Sequence, residues 1–230
     1  MNILKVALAS AGVLFCTSIV FADDSAVFRL PESIEPTEQA IELTLDPNKP
    51  DFTGRTVFQL NIKEDVEKIG IYQIGIEMSE ITLTSESTSR TLAATEADYD
   101  INWLADGETI AAGQYELSIE FNATLSTDSL GMHSSRFEGN SYIFTQFESM
   151  YARRAIPTFD EPSFKIPYQL TINAPEGLTV VSNTPVASES TNDGWQRVEF
   201  MQTKPLPTYL IAYAVGPLDR AEIKGMSVPG

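Results

Sequence analysis

Hydrophobic and polar residues alternate along most of this chain. Ile41, Leu43 and Leu45 stand between polar neighbours, and after Asp46-Pro47-Asn48-Lys49-Pro50 the alternation resumes at Phe58, Leu60 and Ile62. Two period-two runs separated by turn residues predict an antiparallel hairpin. The same period predicts strands over 68–73, 74–84, 99–104 and 114–125. In the last of these, Tyr115, Leu117, Ile119 and Phe121 share one face, and Glu116, Ser118 and Glu120 the other. Beyond Pro162 the alternation returns at Tyr168, Leu170 and Ile172, with further strands expected over 178–182, 196–201 and 208–215. Residues 79–97, rich in Ser, Thr and Glu, read as surface connections, as does 127–140, which holds Gly131, His133, Arg136 and Gly139. No segment shows a sustained helical period, although 149–155 fits a single turn stopped at Pro157. The pattern predicts an all-β fold, a large antiparallel β-sandwich of two packed sheets forming one domain.

The most informative stretch runs from Tyr142 to Phe164. Its first half alternates as a half-buried strand does, so Gln146 and Glu148, two apart, project to the same side. Its second half sets Pro157 and Pro162 around Phe159-Asp160-Glu161, a loop that cannot extend a ladder because proline lacks the N–H. Asp160 and Glu161 are adjacent and face opposite ways on an extended chain, so they make a poor acid and base pair. Asp160 is expected to accept hydrogen bonds from turn N–H groups or to pair with Arg153 or Arg154. Phe144, Phe147, Tyr151 and Phe159 crowd the same stretch. A carboxylate in partly desolvated surroundings captures an ammonium group by a charge-assisted hydrogen bond, and a neighbouring amide fixes its orientation. Gln146 and Glu148 are thus candidates for reading the free N-terminus of a peptide; the other reading of Glu148 is a solvated strand face.

At the N-terminus, Lys5 precedes an apolar run from Val6 to Val20, and Val20-Phe21-Ala22 leads into Asp23-Asp24. Residues 1–22 read as a secretory signal peptide, and 23–230 as the mature β domain of a periplasmic or secreted protein. The run is short for a membrane span of ~20 apolar residues, and nothing later approaches that length, so no span is expected after cleavage. Cleavage would remove Cys16, the only cysteine, leaving stability to the core. With 32 Asp and Glu against 15 Lys and Arg the net charge is −17. Such a field repels nucleic-acid phosphates and anionic headgroups, so no nucleic-acid partner is expected; it favours cationic ligands or maintains solubility. His133 is the only histidine. The chain therefore contains no H-E-x-x-H pattern, and neither catalytic residues nor metal ligands are assigned within it.

Thr145-Gln-Phe-Glu148 followed by Ala152-Arg-Arg-Ala-Ile-Pro-Thr-Phe-Asp-Glu-Pro-Ser-Phe-Lys165 resembles the N-terminal domain signature of the aminopeptidase N-type zinc metallopeptidases, the membrane alanyl aminopeptidase family. Phe28-Arg-Leu-Pro31 is similar to the family's opening strand, Phe52-Thr-Gly-Arg-Thr56 to its first hairpin, Leu130-Gly-Met-His-Ser-Ser-Arg136 to the loop before the Gln-x-Glu strand, and Thr208-Tyr-Leu-Ile-Ala-Tyr-Ala-Val-Gly216 to the closing strand. Thr158 stands where many members carry Cys. The resemblance implies a saddle-like β domain resting on a downstream catalytic domain, which carries the zinc, its ligands and the general base. It implies that Glu148 binds the substrate's α-ammonium and that Gln146 lines the pocket for the first side chain. The implied function is the substrate-anchoring domain of an exported zinc aminopeptidase, inactive by itself, with peptide N-termini and the catalytic domain as partners. The alternative is a stand-alone exported β-sandwich module that binds peptide or protein without catalysis.

Overall fold

A computed structural model describes residues 29–96 and 98–219; the expected signal peptide, 1–22, lies outside the described residues. Fifteen strands follow in order: β1 (Ile34–Thr44), β2 (Asp51–Ile62), β3 (Ile69–Tyr72), β4 (Glu77–Thr84), β5 (Ser89–Thr91), β6 (Ala93–Glu96), β7 (Ile101–Ala105), β8 (Gly113–Thr124), β9 (Gly131–Phe137), β10 (Asn140–Gln146), β11 (Tyr168–Pro175), β12 (Thr179–Ser182), β13 (Val186–Asn192), β14 (Trp195–Phe200) and β15 (Tyr213–Gly216). Helical structure among the described residues is confined to two short 3₁₀ turns, Ala152–Arg154 and Thr208–Leu210. The all-β expectation holds.

The strands form three sheets, not two: an eight-stranded sheet ordered β13-β14-β11-β1-β2-β8-β4-β5, a four-stranded sheet β12-β15-β10-β9, and a three-stranded sheet β3-β7-β6. The predicted β1–β2 hairpin is present, but β1 also pairs with β11 in parallel. Alternation in sequence marks a strand and its buried face, and it is silent on which strand lies alongside. Residues read as connections also pair: β5 and β6 arise within 79–97, and β9 within 127–140. The expected strand 208–215 begins only at Tyr213, because Pro207 and the 3₁₀ turn occupy its first half.

The core has two parts. In one, Ile41, Leu43, Phe121 and Ile172 of the large sheet meet Met132, Ile143, Tyr213 and Val215 of the four-stranded sheet. In the other, Phe58, Leu60, Leu117 and Ile119 of the large sheet meet Ile69, Ile71, Ile101 and Leu104 of the three-stranded sheet. Each side chain of this size contributes roughly 1.5–3 kcal/mol by leaving water. Packing is close enough that β2 needs a glycine on its inner face, since a Cβ at Gly54 would lie 2.4 Å from the Phe121 ring.

The segment after β10 runs along the seam between the two parts. Phe147, Ala152, Ala155 and Ile156 belong to the first cluster and Phe159 to the second. Beneath it lies Gln39 of β1, fully buried. Its Nε2 donates to Thr56 Oγ1 (2.7 Å) and to the Pro157 carbonyl (3.2 Å), and its Oε1 accepts from Thr158 Oγ1 (2.9 Å). Gln39→Leu preserves volume but strands buried polar groups, Thr158 Oγ1 first among them. It is expected to lower the unfolding free energy by about 1–3 kcal/mol. An unchanged urea midpoint would show that the amide does not secure the seam.

Candidate functional site

β10 is fixed on both sides: Gln146 lies opposite Gly131 of β9, and Phe144 opposite Ala214 of β15. Thr145 reinforces the second pairing, its Oγ1 accepting the Tyr213 N–H (3.1 Å) and donating to the Tyr213 carbonyl (3.3 Å). Phe147 then turns inward, 2% exposed, its ring edge-on to Tyr213 at 6.0 Å. Gln146 and Glu148 flank this buried ring and are both exposed, as period two requires. Neither side chain makes a hydrogen bond or ion pair among the described residues. The Glu148–Ser149 peptide bond is cis.

The described residues do not give Glu148 the partly desolvated setting expected for it. Phe147 and Phe159, two of the six aromatic residues between Tyr142 and Phe164, face the core, each 2% exposed, leaving the carboxylate in water. What the loop supplies is position. The Tyr151 N–H donates to the Phe147 carbonyl (2.9 Å), and the turn Ala152–Arg154 brings Arg153 to a buried hub.

At that hub Arg153 Nε donates to Asp160 Oδ2 (2.9 Å), Nη2 to the Asp160 carbonyl (3.0 Å) and Nη1 to Asp100 Oδ2 (3.1 Å). The guanidinium lies 4.0 Å from the centroid of the Tyr72 ring. The second Asp160 oxygen accepts the Thr208 hydroxyl. Arg153 and Asp160 are each only 4% exposed, and a pair so removed from water persists only when its donors and acceptors are satisfied. Asp160 thus pairs with Arg153, one of the two expected partners. Arg154 instead reaches Asp128 at the surface (3.2 Å).

Glu161 faces elsewhere, its Oε1 accepting the Leu30 N–H (2.7 Å) and the Tyr72 hydroxyl (3.0 Å). Burial, then the Glu161 carboxylate, hold the Tyr72 hydroxyl well above its ordinary pKa, so it remains a neutral donor. Asp160 and Glu161 therefore serve separate anchoring points and make no acid and base couple. A groove of about 520 Å³ borders this hub, lined by Tyr72, Tyr99, Asp100, Met150, Arg153 and Glu161 among others.

His133 lies on β9, with its ring 6.3 Å from that of Phe144 and its Nδ1 buried without a hydrogen-bond partner among the described residues. Among the described residues no three His, Cys, Asp or Glu side chains converge as a metal requires. They do not fit a zinc ion, and no chemical step is routed through one here. The sequence reading missed Tyr72, Asp100 and Thr208. They lie 89, 53 and 48 residues from their partners Glu161, Arg153 and Asp160, and no local pattern marks them.

Comparison with known proteins bears on the same residues. Residues 35–210 match the model of the Peptidase M1 N-terminal domain. The chain is 30% identical to Aminopeptidase M1 of Arabidopsis thaliana, over 84% of this chain and 23% of that protein. It is 27% identical to Aminopeptidase N of Acetobacter pasteurianus (92% of this chain, 60% of that protein) and 29% identical to the puromycin-sensitive aminopeptidase of Caenorhabditis elegans (88% and 23%). The chain thus spans only part of the length of each relative. The matched region runs from the second residue of β1 to the Thr208–Leu210 turn and takes in the Gln146–Glu148 edge, the Arg153–Asp160 hub and every strand but β15, so this chain belongs to the Peptidase M1 N-terminal domain family.

Proposed function

We propose that this chain is the substrate-anchoring domain of an exported zinc aminopeptidase, which removes N-terminal residues from peptides. Glu148 holds the peptide's α-ammonium, and Gln146 shapes the pocket for the first side chain. The observation carrying this reading is that two side chains able to read an ammonium group stand two residues apart at the end of a fixed strand, exposed and without partners among the described residues. A structural carboxylate in this protein looks different: Asp160 is buried and used on both oxygens.

The zinc and the base that activates water would belong to a downstream catalytic domain, as would the surface that covers Glu148. Its carboxylate then becomes the only counter-charge for the ammonium in a closed site, and the attraction strengthens as water leaves. Residues 1–22 would direct export, placing the enzyme in the periplasm or outside the cell.

The anchoring claim can be tested on the chain itself by following backbone amide resonances during titration with a tripeptide and with its N-acetylated form. The free peptide is expected to shift Gln146 and Glu148 resonances at millimolar concentration, and the acetylated one to leave them in place. Equal shifts from both peptides would remove Glu148 as an ammonium anchor.

A further inference from the structure

The pairing of β10 with β15 ends at Phe144 and the contacts of the Thr145 hydroxyl, so among the described residues the ladder partner left to Gln146 is Gly131 of β9. Gly131 has a φ of 75°, in the left-handed region, and its face is covered. A Cβ there would lie 3.0 Å from Arg154 Cβ and 3.5 Å from both Arg154 Cδ and the Tyr151 carbonyl oxygen. The chain therefore leaves the ladder at Gln146, carries Glu148 outward and returns at Arg154 to rest on the residue opposite Gln146. An ion pair holds it there. Arg154 Nη1 lies 3.2 Å from Asp128 Oδ2, and the guanidinium 5.2 Å from the centroid of the Tyr151 ring. Asp128 is itself fixed, its Oδ1 accepting the Ser126 hydroxyl (2.7 Å) and the Leu130 N–H (3.0 Å). These two bonds, and then Arg154, hold the Asp128 carboxyl below the ordinary carboxylate range, so it is charged at neutral pH. The two consecutive arginines thus diverge: Arg153 enters the buried hub, and Arg154 fastens the same turn to the start of β9.

We infer that Arg154 is a positioning residue, which through its pair with Asp128 clamps the loop carrying Glu148 onto Gly131 and so holds Gln146 and Glu148 in one mutual geometry. The inference rests on Glu148 as the ammonium anchor. An exposed carboxylate with no side-chain partner among the described residues is aimed only by the backbone that bears it. Glu148, Ser149 and Met150 are all exposed, so this stretch takes its place from its two ends: Phe147 in the core, and the turn that ends at Arg154. Freeing Arg154 loosens the second end where it meets Gly131, and the rung that holds Gln146 loosens with it. The pair itself adds little to folding, because the Arg154 and Asp128 side chains are 32% and 55% exposed and such pairs are weak in water. Its effect is therefore local, on the aim of two side chains.

Leucinamide and N-acetylleucinamide are titrated into the chain and into Arg154→Met, Asp128→Asn and Arg154→Lys, with amide resonances and backbone nitrogen relaxation as readouts. Methionine keeps an unbranched stem over Gly131 and removes the guanidinium; asparagine keeps an acceptor for the Leu130 N–H and removes the charge. The urea midpoints of both should stay near that of the parent. Each is expected to weaken leucinamide binding about fivefold, within the roughly 2- to 10-fold that one neutral hydrogen bond is worth. The order parameters of Gln146 and Glu148 should fall from the ~0.85 of rigid backbone toward ~0.6. The double variant Arg154→Met, Asp128→Asn should lose no more than either single one, because both break the same contact. Arg154→Lys keeps a charge for Asp128 and should recover most of the affinity. Unchanged affinity and order parameters in Arg154→Met, with the parent still preferring the free amide, overturn the clamp and leave the anchor standing. A loss of binding that follows a lowered urea midpoint and is not recovered by lysine also overturns it, since the pair would then serve folding. Equal binding of the two amides by the parent overturns the anchor, and with it the clamp's part in reading a substrate.

Discussion

Glu148→Gln, in the full-length aminopeptidase proposed to carry this domain, is expected to lower kcat/KM for an aminoacyl anilide by roughly 30-fold or more, a factor equivalent to ~2 kcal/mol. The substitution keeps size and hydrogen-bonding capacity but removes the counter-charge for the substrate's ammonium. Most of the loss should appear as a raised KM if the ammonium is held equally in ground and transition states, and in kcat if the contact tightens as the bond breaks. An acylated substrate, lacking the ammonium, should be cleaved equally poorly by both forms. Unchanged kcat/KM for the free substrate would sink the assignment. The structure sharpens the expectation, because Glu148 has no side-chain partner among the described residues whose loss would also unfold the domain.

Gln146 and Glu148 were legible because period two is a property of the backbone: with Phe147 between them in the core, both had to face out. The alternation of Leu117, Ile119 and Phe121 on β8 was legible for the same reason, and all three are essentially inaccessible. β13 was not, since Val186–Asn192 is exposed at every position and exists as a strand only because β14 supplies its hydrogen bonds. β9 was hidden similarly, with Gly131 and Met132 its only buried residues. The parallel β1–β11 pair was out of reach because it joins strands far apart in the chain with no motif between them. At the site, local spacing suggested that Asp160 would pair with a nearby arginine. The roles of Tyr72, Asp100 and Thr208 come from tertiary contacts that no window of sequence contains. Sequence alone could not choose between the two settings open to Glu148, partly desolvated or solvated, because aromatic density in sequence does not say which way the rings turn, and the structure shows the solvated one.

The largest effect on stability is expected at the buried hub. Arg153→Met leaves Asp160 without its charge partner and with only the Thr208 hydroxyl and the Arg153 backbone N–H (3.4 Å) as donors, and should reduce unfolding free energy by about 3–5 kcal/mol. That is a large share of the 5–15 kcal/mol typical of a folded domain, so the urea midpoint should fall steeply. Arg153→Lys should recover only part of the loss. A lysine carries the charge but cannot bond Asp160 twice, reach Asp100 and lie flat over Tyr72 at once. The double variant Arg153→Met, Asp160→Leu separates two roles that the single variants confound. Buried pairs are often replaceable by apolar side chains without net cost, so the double variant should be markedly more stable than Arg153→Met alone. Its Glu148 should nevertheless bind free peptide N-termini more weakly. The hub fixes the turn that follows Glu148 and ties it, through the Ile74 N–H on the Arg153 carbonyl (2.8 Å), to the three-stranded half of the molecule. A double variant that regained stability and bound peptide as tightly as the parent would show that the ion pair serves folding alone; lost binding in a stable protein would make it the device that aims the anchor.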